Sequence, residues 1–212
     1  YEMTSSLVGS EMCIRDRTSS YRSNPMKLAQ FTLSRRDPDY VPRAKAAAAL
    51  ESARAAGEVP AALADTLHAL GLDTHSLSRL HIGSVIFANK PGDGSAREQA
   101  ASCQRVLGGS ANICYEFATK RYRSNVMNWG MVPFQMEAEP NFEVGDYVFV
   151  PGIRAALDGD LKGIAAYVVR ADGAVEQIEL YIADMTAEER AIVKAGCLIN
   201  YNKLSLIHIS EP

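Results

Sequence analysis

The sequence predicts a single α/β domain with a mixed β core, β-barrel-like in outline, that is flanked by helices. Three observations predict this fold class. Hydrophobic residues make up 47% of the 212 residues and charged residues 22%, a balance that is typical of a globular protein with a packed core. A strand, a glycine-rich loop and a helix follow one another over residues 83–107. Short strands separated by Gly and Asp turns occupy the second half.

The elements of the first half are each bounded by a glycine or a proline. An alanine-rich helix is predicted over residues 43–56 and is closed by Gly57. Pro60 opens a second, short helix, in which leucines recur at helical spacing before Gly71. The apolar run over residues 83–88 predicts a buried strand, and a helix follows over residues 96–107.

The second half is predicted to be richer in β structure. A helix over residues 117–129 precedes three short strands, at residues 147–150, 163–169 and 175–182. Thr186 and Glu189 have the spacing of a capping box, which predicts a last helix that runs to about residue 195 and ends at Gly196.

Both ends of the chain are set aside in this prediction. Residues 11–17 (EMCIRDR) and 204–212 (LSLIHISEP) resemble translated sequencing-adapter read-through. The second segment is also an uninterrupted apolar patch without a turn signal to join it to the preceding helix. We therefore expect residues 1–17 and 204–212 to be non-native and residues 18–203 to form the domain.

Charge and cysteine usage exclude several kinds of partner. The formal net charge of −3 leaves no basic excess for nucleic acid or an anionic membrane surface. No apolar stretch reaches the roughly 18 residues of a membrane span, and no leader peptide is recognised, so we expect a cytoplasmic protein. The cysteines are widely spaced and lack a C-x-x-C pair, which predicts that this chain alone binds no metal; they are Cys13, Cys103, Cys114 and Cys197.

The segment Lys90–Gln99 (KPGDGSAREQ) carries the chemistry. Gly92 and Gly94 allow a tight turn and a close approach to a ligand, and Ser95 is placed to cap the next helix. Helix N–H groups beside the fork of Arg97 would bind a carboxylate or phosphate and would stabilise a serine alkoxide. From the residues alone, a capped helix after a glycine turn, with Glu98 serving the cap, remains the alternative.

Other polar residues favour structural roles. The run of Lys120, Arg121 and Arg123 predicts a solvated helix face, and Trp129 is expected to pack inward. The three later cysteines are expected to be small buried thiols. The histidines show no i, i+4 pairing, which favours surface or capping roles; those considered are His68, His75 and His81.

The sequence GDGSAREQAA resembles the G-x-G-S-S-R-E-H-A-A signature of the aconitase superfamily, which lies in its C-terminal swivel domain. Residues 118–134 are similar to the family's segment that ends in G-[LMI]-[LV]-P-[LF], and residues 195–203 to its C-terminal helix end. Residues 21–24 (YRSN) resemble the start of the swivel domain in bacterial aconitase-like hydratases. The resemblance covers essentially all of residues 18–203.

The resemblance implies a hydro-lyase that removes and re-adds water on a small hydroxy di- or tricarboxylic acid. It implies a [4Fe-4S] cluster held by cluster-bearing domains of the same full-length protein, so that this fragment alone would be inactive. By the same resemblance, Ser95 matches the catalytic serine that abstracts a proton. Arg97 and Arg22 match carboxylate-binding arginines, and Gly94 and Ala96 belong to the same substrate-binding loop.

Three departures from the family pattern bear on substrate and completeness. Ala96 stands where aconitases carry a second serine, and Gln99 stands where histidine is usual. The family's T-D-x-I-x-x-A-G segment has no counterpart before Arg22, which predicts a fragment truncated within the enzyme. Two alternatives stay open: the small subunit of an isopropylmalate isomerase-type dehydratase, and a carboxylate-binding module without catalysis.

Overall fold

The computed structural model describes residues 21, 23–34, 36–94 and 96–210. It confirms the α/β class. The helices are α1 (Pro25–Ala29), α2 (Tyr40–Ala55), α3 (Ala61–Ala69), a 3₁₀ helix (Thr74–Arg79), α4 (Arg97–Val106), α5 (Lys120–Asn128), α6 (Ile153–Asp158), α7 (Ala187–Lys194) and α8 (Leu198–Ser210). The strands are β1 (Ser84–Ala88), β2 (Gly109–Cys114), β3 (Val132–Gln135), β4 (Tyr147–Phe149), β5 (Ile164–Val169) and β6 (Val175–Leu180).

The first three strands form a parallel sheet in the order β1-β2-β3. Val85 is opposite Ala111, which in turn is opposite Val132. Parallel neighbours require a crossover, and helices α4 and α5 provide the two crossovers. The carboxyl ends of these strands therefore meet at a single edge of the sheet.

The last three strands form an antiparallel sheet in the order β4-β5-β6. An isolated bridge joins it to the parallel sheet, with Gln135 N donating to Tyr181 O at 2.7 Å and Tyr181 N donating to Gln135 O at 2.8 Å. Closing a barrel requires continuous pairing around the whole sheet. The described strands thus form two three-stranded sheets with helices around them, and they do not close the β-barrel-like core that the sequence predicted.

Two large apolar cores hold the elements in place. One packs α1 and α2 against α4 and α5, with Leu28, Tyr40 and Ala101 buried in it. The other lies beneath both sheets and includes Phe134 and Leu180. Because α1 shares the first core with α4, the segment near the start of the described chain packs directly against the helix that follows the glycine loop.

Most predicted elements are confirmed, including the capping box of α7, but strands β2 and β3 were not predicted. The strand β1 is less buried than expected, since of its residues Ala88 is buried and Val85 is 38% exposed. Helix α8 continues without a break past Leu204. No helix within the described ranges is both long and apolar enough to cross a membrane.

Candidate functional site

Residues 89–96, here called the glycine loop, lie at the carboxyl edge of the parallel sheet, between β1 and α4. The connection from β2 to α5 lies beside it. Asn89 O accepts hydrogen bonds from the backbone N–H groups of Tyr115 and Glu116, each at 3.2 Å, and Pro91 O accepts one from Ala118 N at 2.9 Å. In open parallel sheets, ligands bind in the crevice outside the carboxyl ends of the strands. The glycine loop occupies that position.

Gly92 fixes the path of the glycine loop against helix α5. Its φ of +98° is in the left-handed region, and a Cβ at this position would lie 2.4 Å from Tyr122 Cβ. Gly92 O also accepts a hydrogen bond from Thr119 Oγ1 at 2.8 Å. The close approach that the sequence predicted at Gly92 is therefore made to the protein's own Tyr122.

An ion pair spans the outer rim of the glycine loop. Lys90 Nζ donates to Glu116 Oε2 at 2.8 Å, and both side chains are at least half exposed. Exposed pairs of this kind contribute little to stability. This pair adds a further link between the loops that follow β1 and β2.

Arg97 is the first residue of α4 and contributes the cation of the site. Its Nη2 donates to Asp93 O at a long 3.4 Å. Its Nε is buried and has no hydrogen-bond partner among the described residues. A buried donor without an acceptor is uncommon in folded proteins, and an external acceptor would satisfy it. Arg123 Nε on α5 is a second such donor among the described residues. The predicted carboxylate ligand would supply the acceptor that Arg97 Nε lacks.

The start of α4 differs from the prediction by one residue. The N-cap position falls on Ala96, whose methyl group cannot accept a capping hydrogen bond, and not on Ser95. The Ala96 side chain therefore caps no N–H group of α4, and Asn125 accepts from Glu98 N in the first turn instead. The helix N-terminus and Arg97 thus lie together at the end of the glycine loop.

Glu98 holds α4 against the end of α5. Its Oε1 accepts a hydrogen bond from Trp129 Nε1 at 2.6 Å. With the Asn125 amide oriented to satisfy both partners, its nitrogen donates to Glu98 Oε2 and its oxygen accepts from Glu98 N, each at 3.1 Å. We call these three residues the Glu98 latch. The described contacts of the Glu98 carboxylate are thus with Asn125 and Trp129, and Trp129 is half-buried with its polar edge on Glu98.

The structure brings together Gly94, Ala96 and Arg97, the predicted site residues that it describes. Ser95 and Arg22 lie outside the described residues. The sequence did not predict two sets of contacts near the glycine loop: the hydrogen bond of Thr119 and those of the Glu98 latch. The signal for Thr119 was available, since a threonine directly before a helical run is a capping residue, and Tyr122 N does donate to its Oγ1.

The predicted solvated face of α5 is only partly correct. Lys120 and Arg121 are exposed, but Arg123 donates to Ala183 O at 2.8 Å and to Asp184 O at 3.1 Å. Its guanidinium thereby ties α5 to the segment before α7. A charge run in the sequence does not distinguish a solvated arginine from one that binds backbone carbonyls.

The described cysteines do not fit an iron-sulfur cluster. Burial raises the pKa of the Cys103 thiol to about 11, and burial, with a smaller effect from Glu116, raises that of Cys114 to about 12. Both are therefore neutral thiols, whereas cluster ligands are thiolates. Cys197 is half-buried. In the described ranges, no three His, Cys, Asp or Glu side chains are grouped so that they could hold a metal ion.

Comparisons with known proteins agree with this geometry. Residues 78–139, which include β1 to β3 and the glycine loop, match the Aconitase C-terminal domain family. The chain is 30% identical over 128 residues to aconitate hydratase A of Bradyrhizobium diazoefficiens, covering 55% of this chain and 13% of that protein. It is 30% identical over 120 residues to the aconitase-ribosomal protein bL21m fusion protein of Schizosaccharomyces pombe, again covering 55% of this chain and 13% of that protein.

A solved structure is also similar. The crystal structure of 3-isopropylmalate dehydratase from Methanocaldococcus jannaschii aligns with a TM-score of 0.39 and 26% identity, covering 66% of this chain and 75% of that chain. The chain spans 13% of the length of the curated relatives that it matches. The matched segment contains the signature of the glycine loop and, with the two curated relatives, shows that residues 78–139 belong to the Aconitase C-terminal domain family.

Proposed function

We propose that this chain is the substrate-binding swivel domain of an aconitase-like hydratase, which removes and re-adds water on a small hydroxy di- or tricarboxylic acid. One observation carries the proposal. Arg97 is the first residue of α4, at the carboxyl edge of a parallel sheet, and its buried Nε has no acceptor among the described residues. Residues 18–203 are the proposed domain, acting in the cytoplasm with the cluster-bearing domains of the same protein.

The residues of the glycine loop have distinct proposed roles. Arg97 binds one substrate carboxylate through its planar fork, and Arg22, which precedes the helix that packs on α4, binds a second. Gly94 and Ala96 belong to the same substrate-binding loop. Ser95 removes the proton from the carbon next to a carboxylate. The negative charge that builds up there is stabilised by the guanidinium of Arg97, which the start of α4 holds in place.

Members of the aconitase family carry a [4Fe-4S] cluster, which is held outside the swivel domain. The buried, neutral thiols of Cys103 and Cys114 do not match the ligand set of such a cluster. No step of the reaction is therefore assigned to a cluster on this chain. The chain's own residues bind and orient the carboxylates and move a proton.

Carboxylate binding by the 212-residue chain tests the proposal directly. Citrate and 3-isopropylmalate are titrated by calorimetry into the parent and into Arg97→Lys. The substitution keeps the charge and loses the bidentate fork, so affinity should fall by about 10- to 100-fold, equivalent to roughly 1.5–3 kcal/mol for a charged hydrogen bond left unmade. Arg121→Lys, on an exposed position of α5, is the matched control and should bind like the parent.

The full-length enzyme separates binding from proton transfer. Ser95→Ala should lower kcat and leave KM nearly unchanged, whereas Arg97→Lys should raise KM. Circular dichroism and melting confirm that both variants are folded. If folded Ser95→Ala turns over like the parent, Ser95 is not the base. If acetate binds to the chain as tightly as citrate, the site is a general carboxylate site and the hydratase proposal fails.

A further inference from the structure

A second cluster of reactive side chains lies at the opposite, amino-terminal edge of the parallel sheet. Glu51 is on α2, His81 precedes β1, and Ser110 is the second residue of β2. Glu51 Oε1 lies 2.9 Å from His81 Nδ1, and His81 Nε2 lies 2.9 Å from Ser110 Oγ. The acid, imidazole and hydroxyl are thus connected in the order found in serine hydrolases, with each imidazole nitrogen on the appropriate partner.

The carboxylate determines where the protons are. An ionised carboxylate can only accept hydrogen bonds, so His81 Nδ1 carries the proton of the shared bond. In the neutral imidazole, Nε2 is then the acceptor, and the Ser110 hydroxyl donates to it. This is the tautomer in which a histidine can take a proton from a serine.

Glu51 is held in place by more than the histidine. Its carboxylate accepts hydrogen bonds from Arg54 Nε at 2.7 Å, Arg54 Nη2 at 2.9 Å and Ile82 N at 2.9 Å. Burial alone would raise the pKa of the Glu51 carboxyl, but these bonds and that of His81 outweigh it and lower the pKa to about 2. The carboxylate therefore stays ionised and oriented at neutral pH.

The backbone aims Ser110 toward the imidazole. The register of β1 and β2 shifts at this point, because Ser84 pairs with Gly109 and Val85 pairs with Ala111, which leaves Ser110 as an unpaired bulge residue. Bulges redirect a side chain and are frequent near active sites. Gly83 gives the hydroxyl its space, since a Cβ there would lie 1.8 Å from Ser110 Oγ. The His81 side chain is 57% exposed, so the pair is open to solvent.

We propose that Glu51, His81 and Ser110 form an acyl-transfer site for small activated esters, separate from the glycine loop and independent of the proposed hydratase function. Ser110 Oγ attacks the ester carbonyl carbon while its proton passes to His81 Nε2. The bond to the leaving alkoxide or phenolate breaks, the leaving group takes the proton from His81 Nε2, and an acyl-serine remains. Water then attacks the acyl carbon and passes a proton to His81 Nε2. The acyl–Oγ bond breaks, His81 returns that proton to Ser110 Oγ, and the carboxylic acid is released. No redox partner is required.

The same hydrogen bonds would also arise in a purely structural tether between α2 and β2, so the test must detect the reaction itself. The 212-residue chain is incubated with p-nitrophenyl acetate, and phenolate release and the acetylated peptide are measured. We expect a burst of up to one equivalent, with acetyl on Ser110. Ser110→Ala and His81→Asn should lower the burst rate by about 100-fold, the usual contribution of a nucleophile with its base.

Matched controls separate this site from background acylation. Ser78→Ala and His75→Asn change an exposed serine and an exposed histidine of the 3₁₀ helix, and both should react like the parent. Ser110→Cys retains a nucleophile and should keep the burst, so the comparison of Ser110→Ala with Ser110→Cys decides the matter even if His81→Asn does not fold. An undiminished burst in folded Ser110→Ala, or acetyl groups on lysines and none on Ser110, would overturn the proposal.

Discussion

The parallel and the antiparallel sheet of this protein use their connections differently. In the parallel sheet, each crossover leaves the same edge, so the glycine loop and the loop after β2 lie side by side and hydrogen-bond to each other. In the antiparallel sheet, β5 returns directly into β6 through the short turn at residues 170–174. The parallel arrangement gathers loop chemistry in one place, whereas the antiparallel arrangement distributes its turns at both ends.

This difference has a consequence for glycines. Gly92 lies where one loop packs against a helix of the next crossover, so its missing side chain is required by both backbone and packing. Gly173 lies in the β5–β6 turn with a similar φ of +84°, but a Cβ there would meet no described atom within 4 Å. The two glycines share a backbone conformation and differ in their surroundings.

Alanine substitution of these two glycines should produce the greatest change in stability. Gly173→Ala should cost about 1 kcal/mol of unfolding free energy, the cost of a left-handed alanine. Gly92→Ala incurs the same strain and in addition forces Tyr122 to move, so it should cost about 2–4 kcal/mol. Urea unfolding of the two variants measures both values. Equal losses would mean that the glycine loop is not packed against α5 as described.

The two sheets also differ in how far their strands could be predicted. Strands β4 to β6 were predicted because the pattern is local: alternating or continuous apolar residues, as at Ile164–Val169, between glycine turns. Strands β2 (GSANIC) and β3 (VPFQ) were missed because small, polar and proline residues give no such pattern. Their pairing depends on partners that are distant in sequence, and burial between crossover helices determines it.

A second comparison concerns carboxylates at the two sheets. Glu51 binds the backbone at the start of β1, whereas Glu176 on β6 pairs with Arg170 at an exposed position. Glu51→Gln should destabilise the protein at neutral pH by about 1–2 kcal/mol, because hydrogen bonds to a charged acceptor are lost. Glu176→Gln should change stability by less than about 0.5 kcal/mol, since exposed ion pairs contribute little.

The pH dependence of the stability lost in Glu51→Gln tests whether the charge of Glu51 causes that loss. The pKa of Glu51 is lowered by folding to about 2, so its contribution is fully present above the ordinary carboxyl pKa and is lost as the pH falls toward the folded value. Chemical unfolding is therefore measured between about pH 4.3, the ordinary value, and about pH 2. The difference in unfolding free energy between the parent and Glu51→Gln should become smaller as the pH falls through this range. A gap that is constant with pH would show that the charge of Glu51 is not what stabilises the fold.

The residue types of the candidate site could be predicted from the sequence, but the contacts that hold those residues in place could not. The glycines follow from the segment Lys90–Gln99 because a tight turn before a helix favours them. Arg97 follows because a guanidinium at a helix N-terminus suits a carboxylate. The sequence could not show that the N-cap falls on Ala96 instead of Ser95, or that Glu98 binds Trp129. The exact start of α4 depends on tertiary contacts, and the partner of Glu98 is a tryptophan 31 positions away.

Substitution of Trp129 should change stability least, and it tests whether the Glu98 latch positions the carboxylate site. Trp129→Phe keeps an aromatic ring, although a smaller one, and removes the Nε1–H that donates to Glu98. Loss of this hydrogen bond alone should lower the unfolding free energy by about 1 kcal/mol. Tyr167→Phe, a half-buried aromatic of β5 that packs near Phe149, should change stability by less than about 0.5 kcal/mol. If the latch orients the first turn of α4, citrate affinity in calorimetric titrations should also weaken in Trp129→Phe and remain at the parent value in Tyr167→Phe. A loss of stability with unchanged citrate affinity would assign Glu98 to holding α4 on α5 alone, and would leave the orientation of Arg97 to the glycine loop.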